Sequence, residues 1–190
     1  MIQHFACSSY ENCHVPWGNT HEESLLLIKK NDFISGQYVW TGFDYIGEPT
    51  PYGWPARSSY FGIVDLAGFP KDVYYLYQSE WTDKQVLHLF PHWNWTEGQD
   101  IDLWAYYNNA DEVELFVNGK SQGVRNKGKD DFHVMWRVKY EPGTVKAVSR
   151  KEGKTVAEQE IRTAGEPAQI RLSPTADHSG RWQRLEFHYG

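Results

Sequence analysis

The stretch Gly36-Gln37-Tyr38-Val39-Trp40-Thr41-Gly42-Phe43-Asp44-Tyr45-Ile46-Gly47-Glu48-Pro49-Thr50-Pro51-Tyr52 organises the rest of the chain. Tyr38, Val39 and Trp40 are aromatic or β-branched, side chains that fit a pleated, half-buried surface, so a strand is expected there. No tight hairpin turn follows. The strand runs instead into a loop rich in aromatics and proline, with two carboxylates, Asp44 and Glu48. Such a loop suits sugars: an indole face packs on the apolar C–H side of a pyranose, and a carboxylate accepts hydrogen bonds from its hydroxyls. The bland alternative is that Trp40 is a core aromatic, since tryptophan is mostly buried on average.

Working outward, Thr20-His21-Glu22-Glu23 reads as a capping box. Leu25 to Ile28 supply an apolar face, Lys29 and Lys30 suit the negative end of a helix dipole, and Asn31 closes the helix. Glu22 and Glu23 are therefore helix-start carboxylates rather than catalytic ones. Tyr52-Gly53-Trp54-Pro55-Ala56-Arg57 is a second aromatic loop, in which Arg57 is placed to pair with Asp44 or Glu48. Pro70 suits a first helical position, and Val73, Tyr74, Leu76 and Tyr77 give an amphipathic helix to about Gln78.

From Val86 the period changes to that of short strands. They are Val86 to Phe90, Asp100 to Tyr107, Glu112 to Val117, Phe132 to Val138, Thr144 to Arg150 and Thr155 to Arg162. In the second, Ile101, Leu103 and Ala105 share one face, Trp104 and Tyr106 the other. Asn118-Gly119 is a type I′ hairpin signal, and further turns fall at Pro142-Gly143 and Glu152-Gly153. Repeated short strands without interposed helices predict an antiparallel sandwich with one face of each sheet wet.

The 190 residues allow one to two small domains. A net charge of −6 argues against a general nucleic-acid or anionic-membrane binder. No apolar run approaches the roughly 20 residues of a membrane helix, and no signal peptide is visible. His4, Cys7, Cys13 and His14 match no standard zinc spacing, so no metal site and no cofactor is expected.

The string WTGFDY-GEPTPY, with Ser58-Ser59-Tyr60-Phe61-Gly62-Ile63-Val64-Asp65, Phe69-Pro70-Lys71-Asp72 and the β-rich segment beyond, resembles glycoside hydrolase family 2 in its β-galactosidase branch. The resemblance spans roughly residues 8 to 178. It implies a mainly β fold: an immunoglobulin-like antiparallel β-sandwich preceded by the last α/β portion of a (β/α)8 TIM barrel. The implied domains are 1–80 (end of the catalytic barrel), 81–165 (immunoglobulin-like) and 166–190 (start of a further β-sandwich). The tail from Asp177 fits no pattern, and a one-base frame slip would account for it.

The resemblance implies hydrolysis of terminal β-galactosides by a retaining glycosidase. Trp40 matches the tryptophan that floors the family's sugar pocket. Asp44 and Glu48 follow as hydroxyl acceptors or loop anchors, and Tyr45 and Trp54 as weaker substrate contacts. The two catalytic glutamates of the family lie on earlier barrel strands, so the chain carries no catalytic residue and is expected to show no turnover alone. Its implied partners are a galactoside and the rest of its own barrel, in a bacterial periplasmic or secreted setting. Some relatives bind a monovalent cation through an Asn after the last strand. Here that stretch reads Ser59-Tyr60-Phe61-Gly62, which departs from the pattern. The competing reading is a non-catalytic carbohydrate-binding or domain-packing sandwich, which has no use for the segment Thr20–Tyr77.

Overall fold

The computed structural model describes residues 9–10, 12, 14–167, 171–174 and 185–188. His4, Cys7, Cys13 and most of the tail from Asp177 lie outside them. Helix α1 (His21–Lys30) starts as its sequence dictates. The Thr20 hydroxyl accepts from the Glu23 amide at 3.2 Å, and the Glu23 carboxylate accepts from the Thr20 amide at 3.0 Å. Those bonds hold the Glu23 carboxyl below its ordinary pKa. Leu25 is the buried residue of this helix, and the Asn31 amide closes it on the Ile28 carbonyl.

Tyr38, Val39 and Trp40 do not form the expected strand, and Tyr38 is fully exposed. A strand needs a neighbour to complete its ladder, and the first main-chain pairing here comes only at Thr41, whose amide donates to the Phe61 carbonyl at 3.1 Å. Regular pairing is limited to β1 (Tyr45–Ile46) against β2 (Ser58–Ser59), antiparallel.

Helix α2 (Asp72–Trp81) begins two residues after Pro70 and runs three past Gln78. Pro70 is not a first helical residue because it bridges Val64, while the Lys71 amide bonds the Ile63 carbonyl. Both contacts keep the backbone extended through the Lys71 cap.

Seven strands make the sandwich. β3 (Leu87–Phe90), β4 (Asp100–Tyr107) and β7 (His133–Lys139) form one sheet in the order β3-β4-β7. β5 (Glu112–Val117), β6 (Lys120–Arg125), β8 (Thr144–Lys151) and β9 (Lys154–Arg162) form the other in the order β6-β5-β8-β9. All pairings are antiparallel. The chain crosses between the sheets after β4, β6 and β7, an immunoglobulin-like arrangement. Asn118 and Gly119 both take positive φ, 49° and 78°, as a type I′ turn requires. β6 was not among the expected strands. It sits at a sheet edge with Lys120, Ser121 and Arg125 exposed, so its sequence carries no alternation to read.

Between the sheets lie Leu103, Ala105, Val113, Leu115, Trp136, Val145 and Ala147, each no more than 2% exposed, with Trp93 at their edge. The outer face of the four-stranded sheet is wet and carries ion pairs such as Arg150–Glu114 at 2.8 Å. The outer face of the three-stranded sheet is wet only at one end, where Asp100, Arg137 and Lys139 form exposed ion pairs; the other end is covered, contrary to the alternation argument. Phe90, Tyr106 and Phe132 are buried there against Leu25 of α1 and Leu76 and Tyr77 of α2. Each such side chain contributes about 1.5–3 kcal/mol when fully buried, so the helices and sandwich share a second core. β10 (Arg171–Pro174) and β11 (Leu185–His188) pair antiparallel beyond the sandwich.

Candidate functional site

The Trp40 loop is held by a crossing of two extended segments. Residues 41–44 run beside residues 61–64 through four main-chain hydrogen bonds: Thr41 to Phe61, Ile63 to Thr41, Val64 to Gly42 and Asp44 to Val64, at 2.9–3.1 Å. The backbones approach so closely that a Cβ on Gly62 would lie 2.1 Å from the Asp44 nitrogen. Only glycine fits that crossing.

Asp44 closes the crossing from inside. It is 6% exposed, and its Oδ1 accepts from the Gly62 amide at 2.8 Å and from Lys71 Nζ at 2.7 Å. Of the two roles open to Asp44 in the sequence, these contacts are those of a loop anchor. Its ionic partner is Lys71, not Arg57. The Arg57 guanidinium lies instead over the Trp54 ring, 4.7 Å from its centroid, a cation–π arrangement.

Trp40 stands at the start of this crossing with its side chain 73% exposed. It is therefore not a core aromatic of this chain. Its peptide bond to Thr41 is cis. Its indole N–H donates to the Tyr45 hydroxyl at 3.3 Å, and the two rings meet edge to face at 6.4 Å. Tyr45, half-buried in β1 opposite Ser59, thus orients Trp40. One indole face so held can stack on a sugar ring.

Glu48 and Trp54 lie further out on the 47–57 loop, both exposed. Tyr52 and Tyr60 meet edge to face at 5.3 Å and, with Pro55, Ala56, Arg57 and Ser58, line a shallow hollow of about 290 Å³. The structure thus joins Trp40, Tyr45 and Asp44 in one unit and leaves Glu48 and Trp54 on its rim. Sequence reasoning missed Lys71 and Gly62 as parts of this unit. Both stand in quoted motifs, but neither a 27-residue ion pair nor a backbone crossing has a local signature. Glu22 pairs with His133 at 2.7 Å and Glu23 caps its helix, so neither helix-start carboxylate belongs to the site.

A family described as "Domain of unknown function (DUF4982)" matches residues 98–157, the heart of the sandwich. Over 170 residues the chain is 84% identical to Beta-galactosidase BoGH2A of Bacteroides ovatus, covering 90% of this chain and 20% of that protein. A putative beta-glucuronidase of Formosa agariphila is 43% identical over 87% of this chain and 16% of its own length. Among solved structures, a beta-glycosidase from Bacteroides vulgatus superposes with a TM-score of 0.79 at 38% identity, over 90% of this chain and 21% of that one. A glycosyl hydrolase family 2 member from Bacteroides cellulosilyticus gives 0.67 at 29% identity, over 77% and 24%. The chain spans about a fifth of the length of these relatives. Over about that fifth it is similar to members of glycoside hydrolase family 2. Its fold is the mainly β one expected, an immunoglobulin-like sandwich preceded by an α/β portion of the barrel.

Proposed function

We propose that the chain is part of a retaining β-galactosidase, in which residues up to about 80 complete the catalytic barrel and residues 81–165 form the adjoining accessory sandwich. The observation that carries this is the fixed, exposed Trp40 indole, oriented by Tyr45 and anchored through Asp44. In this reading Trp40 is the stacking floor of the sugar pocket, and Glu48, Tyr45 and Trp54 are its flanking substrate contacts. The galactose preference rests on the relative that is 84% identical and named a β-galactosidase.

Retaining hydrolysis needs two carboxyl groups about 5–5.5 Å apart, one acid/base and one nucleophile. In this reading the rest of the barrel supplies both. That partner also has a surface to meet: Phe33, Tyr38, Phe43 and Ile46 expose their apolar side chains on the same segment as Trp40. One helix pair and a two-residue strand pair cannot close a barrel by themselves.

The test compares the isolated chain with a longer polypeptide encoded by the same locus, on aryl β-galactoside and aryl β-glucuronide. The expected result is no turnover by the chain and galactoside cleavage by the longer product. Cleavage of the glucuronide alone would replace galactose by an acidic sugar. Turnover by the isolated chain would refute the division of labour.

A further inference from the structure

We propose that Lys71 is the positioning residue of the Trp40 platform, acting through Asp44. The role of the platform in sugar binding rests on the function proposed above; the lock itself does not. Lys71 is the residue just before α2, so its backbone is fixed by that helix and by its amide bond to the Ile63 carbonyl. Its ammonium reaches back over the crossing to two acceptors, Asp44 Oδ1 at 2.7 Å and the Tyr60 carbonyl at 3.1 Å. These acceptors lie on the two segments that cross. One charged group thus ties the segment leaving Trp40 to the segment leaving β2.

The carboxylate end of this tie is buried, with 3% of the Asp44 side chain exposed against 30% for Lys71. A buried carboxylate that loses its cation is left uncompensated, and it then turns outward or drags its loop with it. Three residues separate Asp44 from Trp40, and the intervening main chain is hydrogen-bonded to the 61–64 segment. A shift at Asp44 therefore passes to Trp40 and to its contact with Tyr45. The sandwich lies beyond α2 and does not take part in this chain of contacts.

The test uses the 190-residue chain with 5-fluorotryptophan at its nine tryptophans, the Trp40 signal being assigned with Trp40→Phe. In Lys71→Met, the Trp40 fluorine signal is expected to shift or broaden while those of Trp93 and Trp136 in the sandwich core stay in place. Lys71→Arg is expected to restore it. An unchanged Trp40 signal in Lys71→Met overturns the proposal. If Lys71→Met fails to fold, Asp44→Asn gives the same reading without the change in size. Collapse of every signal in both variants also overturns it, because the pair would then hold the fold rather than one side chain. A Trp40 shift in a protein whose longer form has no glycosidase activity refutes the functional reading and leaves the lock standing.

Discussion

His133 lies flat on Trp104, ring centroids 3.7 Å apart and planes 5° from parallel, with its Nδ1 2.7 Å from a carboxylate oxygen of Glu22. Trp104 and His133 are on the sandwich, Glu22 on α1. The same pattern recurs at His88, which stacks on Tyr75 of α2 at 3.8 Å and contacts Asp72 at 2.7 Å. The helices are thus attached by a packed and hydrogen-bonded interface, not by a tether alone.

Leu76, fully buried between α2 and the three-stranded sheet, tests this attachment. Leu76→Ala is expected to cost about 2–5 kcal/mol, the transfer loss plus the cavity. Urea unfolding followed at the tryptophans should give one transition, moved to lower urea. Two separated transitions, with the sandwich unmoved, would mean that the two parts are stabilised independently.

Glu80 at the end of α2 is approached by Lys29 at 2.5 Å and Lys127 at 3.4 Å. Burial pushes the Lys127 ammonium down from its ordinary pKa, and the Glu80 charge opposes that. Glu80→Gln removes the opposing charge and leaves the lysine in place. The expected loss is about 1–3 kcal/mol, less than for a fully buried pair because Lys29 is half exposed. Glu80→Gln with Lys127→Met should recover part of it in the same unfolding assay.

The imidazole of His21 is pushed down from 6.5 to about 4, first by burial and then by the Lys71 charge. Its Nδ1 lies 2.8 Å from the Tyr77 hydroxyl. Between pH 6.5 and 4 the unfolded chain binds this proton and the folded chain does not, so stability rises with pH across that window. It is at its full value above 6.5 and declines as pH falls toward 4. The decline from this residue amounts to something on the order of 3 kcal/mol. His21→Gln should flatten the difference in urea midpoint between pH 7 and pH 4.5. An equally steep difference in the variant would assign the effect to other groups.

Gly62→Ala should be poorly tolerated, since the added Cβ meets backbone at 2.1, 2.3 and 2.6 Å and backbone cannot rotate away. The expected cost is about 1–3 kcal/mol of strain, with loss of the Asp44–Gly62 bond. Circular dichroism and urea unfolding read the stability, and the fluorine signal of Trp40 reads the loop. An alanine accepted without change in either would contradict the close crossing.

Much of this architecture was legible. The capping box at Thr20–Glu23, the Asn118-Gly119 turn and the two-faced pattern of Asp100–Tyr107 are local signals, and local geometry obeyed them. Alternation could not tell that the second face of that strand meets α2 rather than water, because period 2 reports two faces but not what covers each. The strand expected at Tyr38–Trp40 failed for the related reason that residue type fits a sheet and a ladder needs a neighbour. In the candidate site, Trp40, Tyr45 and Asp44 stood out by type and motif. Lys71 and Gly62 did not, since their importance lies in distances across the fold.

The most direct measurement is kcat/KM on an aryl β-galactoside for the longer polypeptide from this locus, with Trp40→Ala set beside the wild type. Displacing or removing a positioning contact at a reacting sugar costs on the order of 10²-fold, and a loss of that size is expected for Trp40→Ala, with Trp81→Ala, exposed at the end of α2, unchanged. Equal kcat/KM for Trp40→Ala and wild type would contradict the assignment of Trp40 to the sugar pocket.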